Sequence, residues 1–290
     1  MLRQAYLRIA RPLTLRLTGS RWWYLTLSVL SVVGFLALWQ VASLTGLFGR
    51  YDPRAMAIFL PPPLAVVKTF GQLIGTGQYP LHLATSLYRV GVGFGLAAVI
   101  AIPLGMAMAR WSGVDAVCQP YVRFFQPIPG VAWVPLAIVW FGLGDRAAVF
   151  IIVVGALFPL LLATVQGLRE VDPTLSDAAR TLGAGPWQLF TRVTLPSMVP
   201  NLVTGSRLAM GFAWRVVLAA EMVGVSRGLG YMLSLGRGTG RTDITLATMV
   251  TIGVLMAGTD ALVFAPLDRL TSAWRPQHDR GQGVKNHAAA

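Results

Sequence analysis

Four ionisable residues stand inside long apolar runs of this sequence: Arg207, Arg215, Glu221 and Asp260. A charge so placed is costly to keep, and it persists where it pairs with another charge or meets a charged solute. The guanidinium fork of Arg215 matches the oxygens of a sulfonate, nitrate or carboxylate. On a helix, Arg215 and Glu221 would point about 240° apart, which makes them poor partners for each other. Each therefore calls for another partner: Asp260, a second copy of the chain, or a solute. A purely structural ion pair competes with solute contact. Arg207 lies nearer the start of its run and can snorkel toward headgroups.

Other chemistry is excluded by residue type. A P-loop needs Gly-x-x-x-x-Gly-Lys followed by Ser or Thr. The two lysines do not fit, because Lys68 follows Val67 and Lys285 precedes Asn286. The chain therefore has no Walker site of its own. The single cysteine, Cys118, rules out an internal disulfide and a cysteine metal cluster. His82, His278 and His287 are far apart, and no Ser-His, zinc or paired-carboxylate arrangement stands out. Enzymatic chemistry is not expected.

The elements that position these residues follow from composition. Of 290 residues, 55% are hydrophobic and only 12% charged, and mean hydropathy is +0.63. Soluble domains carry about a quarter charged residues. An all-α integral membrane protein is expected. A span needs about 20 mostly apolar residues. Charge-free runs cover 22–49, 90–109, 124–144 and 147–168, and charge-interrupted ones 198–223 and 244–267. That gives six transmembrane helices. The expected organisation is a basic N-terminus at 1–21, a first span at 22–49 and a periplasmic connector at 50–83. A core of five spans at 84–268 and a tail at 269–290 complete it. The weaker stretch 55–88, broken by Pro61-Pro62-Pro63, suggests a short amphipathic helix, with a seventh span as the alternative.

The basic residues divide unequally: fourteen on the side of the two termini and seven opposite. Positive loops face the cytoplasm, so both termini are expected there. The net charge of +13 then reflects topology and contact with membrane lipid, not nucleic acid. The first apolar run is longer than the ~7–15 residues of a signal-peptide core, so no cleaved leader is expected. Pro120, Pro127, Pro129 and Pro135 should bend or break the third span. Non-helical backbone at that depth is either tightly packed or lines a cavity. Pro129 and Trp133 join Arg215 and Glu221 as candidates to line such a cavity. Gly91-x-Gly93-x-Gly95 and Gly224-x-x-x-Gly228 allow close helix approach.

The loop 169–196 is the most informative segment. Asp172 can cap a helix that starts at Pro173, Gly183 can stop it, and Pro186 can start a second one, with Pro196 closing the loop. Leu175, Ala179 and Leu182 form an apolar stripe on an otherwise polar helix. Docking to a partner and packing on the membrane surface both suit such a pair. Asp177-Ala178-Ala179, Gly183 and Val193-Thr194-Leu195-Pro196 closely resemble the Glu-Ala-Ala loop of type I ABC importer permeases. Asp177 stands for Glu and Val193 for Ile. The stretches 126–144 and 213–224, with Gly228-Leu229-Gly230-Tyr231, are similar to the nitrate/sulfonate/taurine/bicarbonate branch.

This resemblance implies a coupling helix seated in a groove of an ATPase subunit. Asp177, Ala178, Ala179, Leu182, Gly183, Trp187, Leu195 and Pro196 would carry the coupling. It implies a homodimer of permeases in the bacterial inner membrane, with two ABC ATPase subunits that hold ATP and Mg, and no cofactor on this chain. A periplasmic or lipid-anchored binding protein would deliver a small anionic solute. An aromatic carboxylate or a neutral vitamin precursor is the alternative cargo. A stand-alone secondary transporter or channel is the alternative function.

Overall fold

The computed structural model describes residues 21–45 and 59–271, and among these every regular element is helical. The basic segment 1–20, residues 46–58 with the start of the expected connector, and the tail beyond Thr271 lie outside the described residues, and with them the placement of both termini. The chain divides into two units, residues 1–67 and 68–290. The first contains α1 (Arg21–Thr45), a lipid-type helix that exposes Leu30, Val32, Phe35 and Leu38. Its Ser43 hydroxyl donates to the Leu60 carbonyl at 2.6 Å.

The second unit begins within α2 (Pro63–Gly75). Gly77, at φ 70°, reverses the chain into α3 (Gln78–Arg110). Then come α4 (Ser112–Phe125), a 3₁₀ turn (Gly130–Trp133), α5 (Val134–Phe141) and α6 (Asp145–Arg169). After the loop containing α7 (Pro173–Thr181), α8 (Pro186–Leu189) leads through a π turn into α9 (Leu195–Gly224). The described residues finish with α10 (Leu229–Gly238), α11 (Thr242–Thr259), a second π turn and α12 (Ala265–Thr271). Among the described residues five helices are long and apolar enough to cross a bilayer, and α4 with α5, bent by 91°, brings the number to six when the broken pair is counted as one span.

Helix α6 is the centre, with α3 and α9 packed on it. In lipid, close van der Waals fit replaces the hydrophobic drive between helices. Gly93 lies against Ile152, Gly105 against Thr164, and a Cβ at Gly205 would come within 2.0 Å of the Ala163 Cβ. Of the glycine trio, only Gly93 makes such a contact; Gly91 and Gly95 have open space. Ile152, Leu160, Ala209, Ala213 and Val217 fill the seam.

Two boundaries differ from expectation. Helix α3 starts at Gln78, inside the segment read as connector, because its polar residues find partners within the protein. The third span starts at Ser112, and its Asp115 pairs with Arg169 at 2.7 Å.

Candidate functional site

The loop forms as its sequence dictates. Asp172 Oδ1 accepts the Thr174 N–H at 2.8 Å, with Pro173 in the first turn of α7. Gly183, at φ 83°, ends α7. Its N–H reaches the Arg180 carbonyl, and the Ala184 N–H reaches Ala179, the paired bonds of a left-handed helix stop. The Gly185 N–H donates to Gln188 Oε1, opening α8. The two helices hold Leu182 and Trp187 out in solvent, 87% and 75% exposed. Ala178 is also exposed and Ala179 half-buried. Pro196 does not close the loop. Helix runs on from Pro186 to Gly224, with the π turn Phe190–Thr194 just before Leu195-Pro196. The Leu195 N–H reaches back five residues to Phe190, and this widened turn accommodates the proline ring and its missing N–H. The elbow is therefore welded to the fifth span.

The third span breaks at Gln126–Pro129 as the prolines require, although Pro120 sits within α4 without breaking it. The broken backbone borders a cavity of about 550 Å³ lined by Pro129, Gln126, Gln166, Asn201 and Thr204, with Phe158 and Phe212. Its lining carries no charge. Arg215 is exposed beside it, its guanidinium 5.5 Å from the Phe212 ring centroid. Trp133 is instead half-buried among aromatics, 5.9 Å from Phe125 and 6.4 Å from Phe150. Arg207 bridges Asp260 at 2.6 Å and Asp268 at 2.8 Å. Asp260 is thus paired with Arg207 and not with Arg215.

Glu221 is the main correction. Far from facing a path, its carboxylate is fully buried at the opposite end of the bundle from the loop. Arg89 Nη1 donates to it at 2.7 Å, Gly230 N–H at 2.9 Å, and Ser86 Oγ lies 2.8 Å from both oxygens. Arg89 also donates to Asp145 through Nε and Nη2, and to the Arg227 carbonyl. Ser86 Oγ accepts the Leu229 N–H, and His82 Nδ1 accepts that of Gly228. Side chains from α3 and α9 thus satisfy the open N–H groups at the start of α10. A Cβ at Gly228 would lie 2.4 Å from the Glu221 carboxyl carbon, and one at Gly230 would lie 2.4 Å from the Leu218 carbonyl. The Gly-Leu-Gly spacing therefore serves this close approach. Gly228, beyond the end of α9 and at φ 127°, is not the second half of a helix-packing pair with Gly224. The signal for Arg89 in the sequence is the spacing of His82, Ser86 and Arg89, which places all three on one face of α3. Asp145, 62% exposed, lines a cavity of about 840 Å³ with Ser226 and Arg227 at this end of the bundle.

A bundle of membrane-spanning helices with an exposed helical elbow has the build of a transport subunit moved by another protein. The chain belongs to the family of binding-protein-dependent transport system inner membrane components, whose profile matches residues 101–275. It is an ABC importer permease, not an enzyme. A putative ABC transporter permease protein of Methanocaldococcus jannaschii is 39% identical over 203 residues, covering 68% of this chain and 76% of its own. A putative aliphatic sulfonates transport permease of Bacillus subtilis is 32% identical over 244 residues, 84% of this chain and 86% of its own. The inward-facing MetNI methionine ABC transporter shares the fold, with TM-score 0.53 at 24% identity, covering 66% of this chain and 94% of that one.

Proposed function

We propose that this permease works as a homodimer in a bacterial inner membrane, with both termini cytoplasmic. Two ATPase subunits, which hold ATP and Mg, dock on its exposed elbows, and a binding protein on the other side delivers a small anionic solute. The observation that carries the choice of solute is Arg215: exposed, beside an uncharged, largely apolar cavity, with no carboxylate paired to it among the described residues. Its planar fork suits a sulfonate-like anion, in keeping with the sulfonate permease among its relatives.

Arg215→Gln is expected to cut uptake in reconstituted vesicles about tenfold or more, the loss of one charge-assisted hydrogen bond. Dimer assembly should be unaffected. Loss of assembly would make Arg215 a structural residue, and unchanged uptake would point to a neutral solute.

Orientation has its own test. In a Cys118→Ser background, cysteines at Ser226 and Ser176 are labelled in intact cells with a membrane-impermeant thiol reagent. Position 226 is expected to react and 176 to remain protected; labelling of 176 from outside would invert the topology.

A further inference from the structure

A third cavity, about 910 Å³, opens at the loop end of the bundle between the last turns of α3 and α6 and the elbow itself. Two guanidiniums, Arg110 and Arg180, line it, and no lining residue is acidic. Arg110 is exposed and makes no ion pair among the described residues. Arg180 makes only a 3.3 Å contact with Asp177, both side chains mostly in solvent, and such a pair is easily exchanged. Trp111, which joins α3 to α4, is 57% exposed on the rim, the placement of an interfacial aromatic. Pro103, Met106 and Leu168 give the remaining wall an apolar surface that follows the spans toward the hydrocarbon region.

We propose that this cavity binds an anionic phospholipid, its phosphate held by Arg110 and Arg180 and its chains laid along Met106 and Pro103. Charge selects this occupant. Basic pockets between spans take anionic headgroups, whereas a zwitterionic headgroup brings an ammonium toward the same arginines. The chain's own undescribed ends have the wrong sign: residues 1–20 contain four arginines and no carboxylate, and 272–290 are also net basic. Because Arg180 belongs to the elbow and Arg110 to a span, the bound headgroup ties the two together and supports the elbow in its docking position. That consequence rests on the coupling role proposed above; the binding itself does not.

The test uses the full permease with its ATPase in nanodiscs of phosphatidylcholine, with or without phosphatidylglycerol. Native mass spectrometry then counts the lipids that remain bound. Wild type is expected to retain phosphatidylglycerol in preference to phosphatidylcholine. Arg110→Gln with Arg180→Gln should weaken that retention about tenfold or more, whereas Arg123→Gln, an exposed charge outside the cavity, should not. The Lys/Lys variant should keep most of it. Phosphatidylglycerol should raise ATPase activity in wild type but not in the Gln/Gln variant, and inorganic phosphate in phosphatidylcholine discs should not replace it. Equal retention of the two lipids, or full retention by the Gln/Gln variant, would overturn the site. So would loss of ATPase pull-down by the Gln/Gln variant in pure phosphatidylcholine, since the cavity would then be part of the ATPase contact. If retention behaves as expected but activity ignores the lipid, the site stands and its support of the elbow is what fails, while the coupling role itself is decided by ATPase pull-down with elbow variants.

Discussion

Arg89→Met is expected to destabilise the permease by about 3–5 kcal/mol, the usual cost of leaving one member of a buried ion pair alone. Methionine fills much of the arginine's volume, so the loss is chiefly electrostatic. Glu221 would keep Ser86 and Gly230 as donors but lose its counter-charge at a site with no water contact. Glu221→Gln should cost less, about 1–3 kcal/mol. Its amide oxygen can still accept from Gly230, and Arg89 keeps Asp145, which faces solvent. Asp145→Asn should cost least, about 1 kcal/mol, because Asp145 is 62% exposed and the buried Arg89 keeps Glu221 as its counter-charge. Thermal unfolding of the detergent-solubilised protein, followed by tryptophan fluorescence, reads the order directly. If Asp145→Asn were the most damaging of the three, the buried cluster would not be what holds α3, α9 and α10 together.

Gly183→Val and Ala178→Asp should both uncouple transport while leaving the permease in the membrane as a dimer. At φ 83° a β-branched residue is disfavoured by about 1–2 kcal/mol. A Cβ at Gly183 meets nothing within 4 Å in this chain, so the strain acts on the helix stop itself, and with it on the angle at which Leu182 and Trp187 are presented. Ala178→Asp places a second carboxylate beside Asp177 on the exposed face, where docking would bury it unpaired. ATPase pull-down should weaken, and substrate-stimulated hydrolysis in vesicles should fall about tenfold or more in Ala178→Asp. Wild-type pull-down and hydrolysis in both variants would leave the loop as membrane-surface packing.

The elbow was legible because its determinants are local. An Asp cap, a proline in the first turn, a glycine that tolerates positive φ and a second proline act within a few residues of chain, and each behaves as its chemistry requires. Even there, the continuation of α8 into α9 could not be read from Pro196, since a proline after a π turn looks in sequence like a helix start. The spans were legible because a bilayer enforces a length and an apolar content, and the break near Pro127 and Pro129 because proline removes backbone donors wherever it stands.

The partners of the charges within the spans were decided by tertiary structure alone. Arg89 and Glu221 are 132 residues apart in sequence, and Arg207 reaches Asp260 and Asp268 on another span. Pairing across such distances depends on which helix faces pack together, and that depends on where small residues such as Gly93 and Gly205 let α3 and α9 close on α6. Sequence determined that charges lay in the membrane and required partners. Only the packing of the helices decided that Glu221 would be sealed inside the bundle while Arg215, six residues earlier on the same helix, remained exposed.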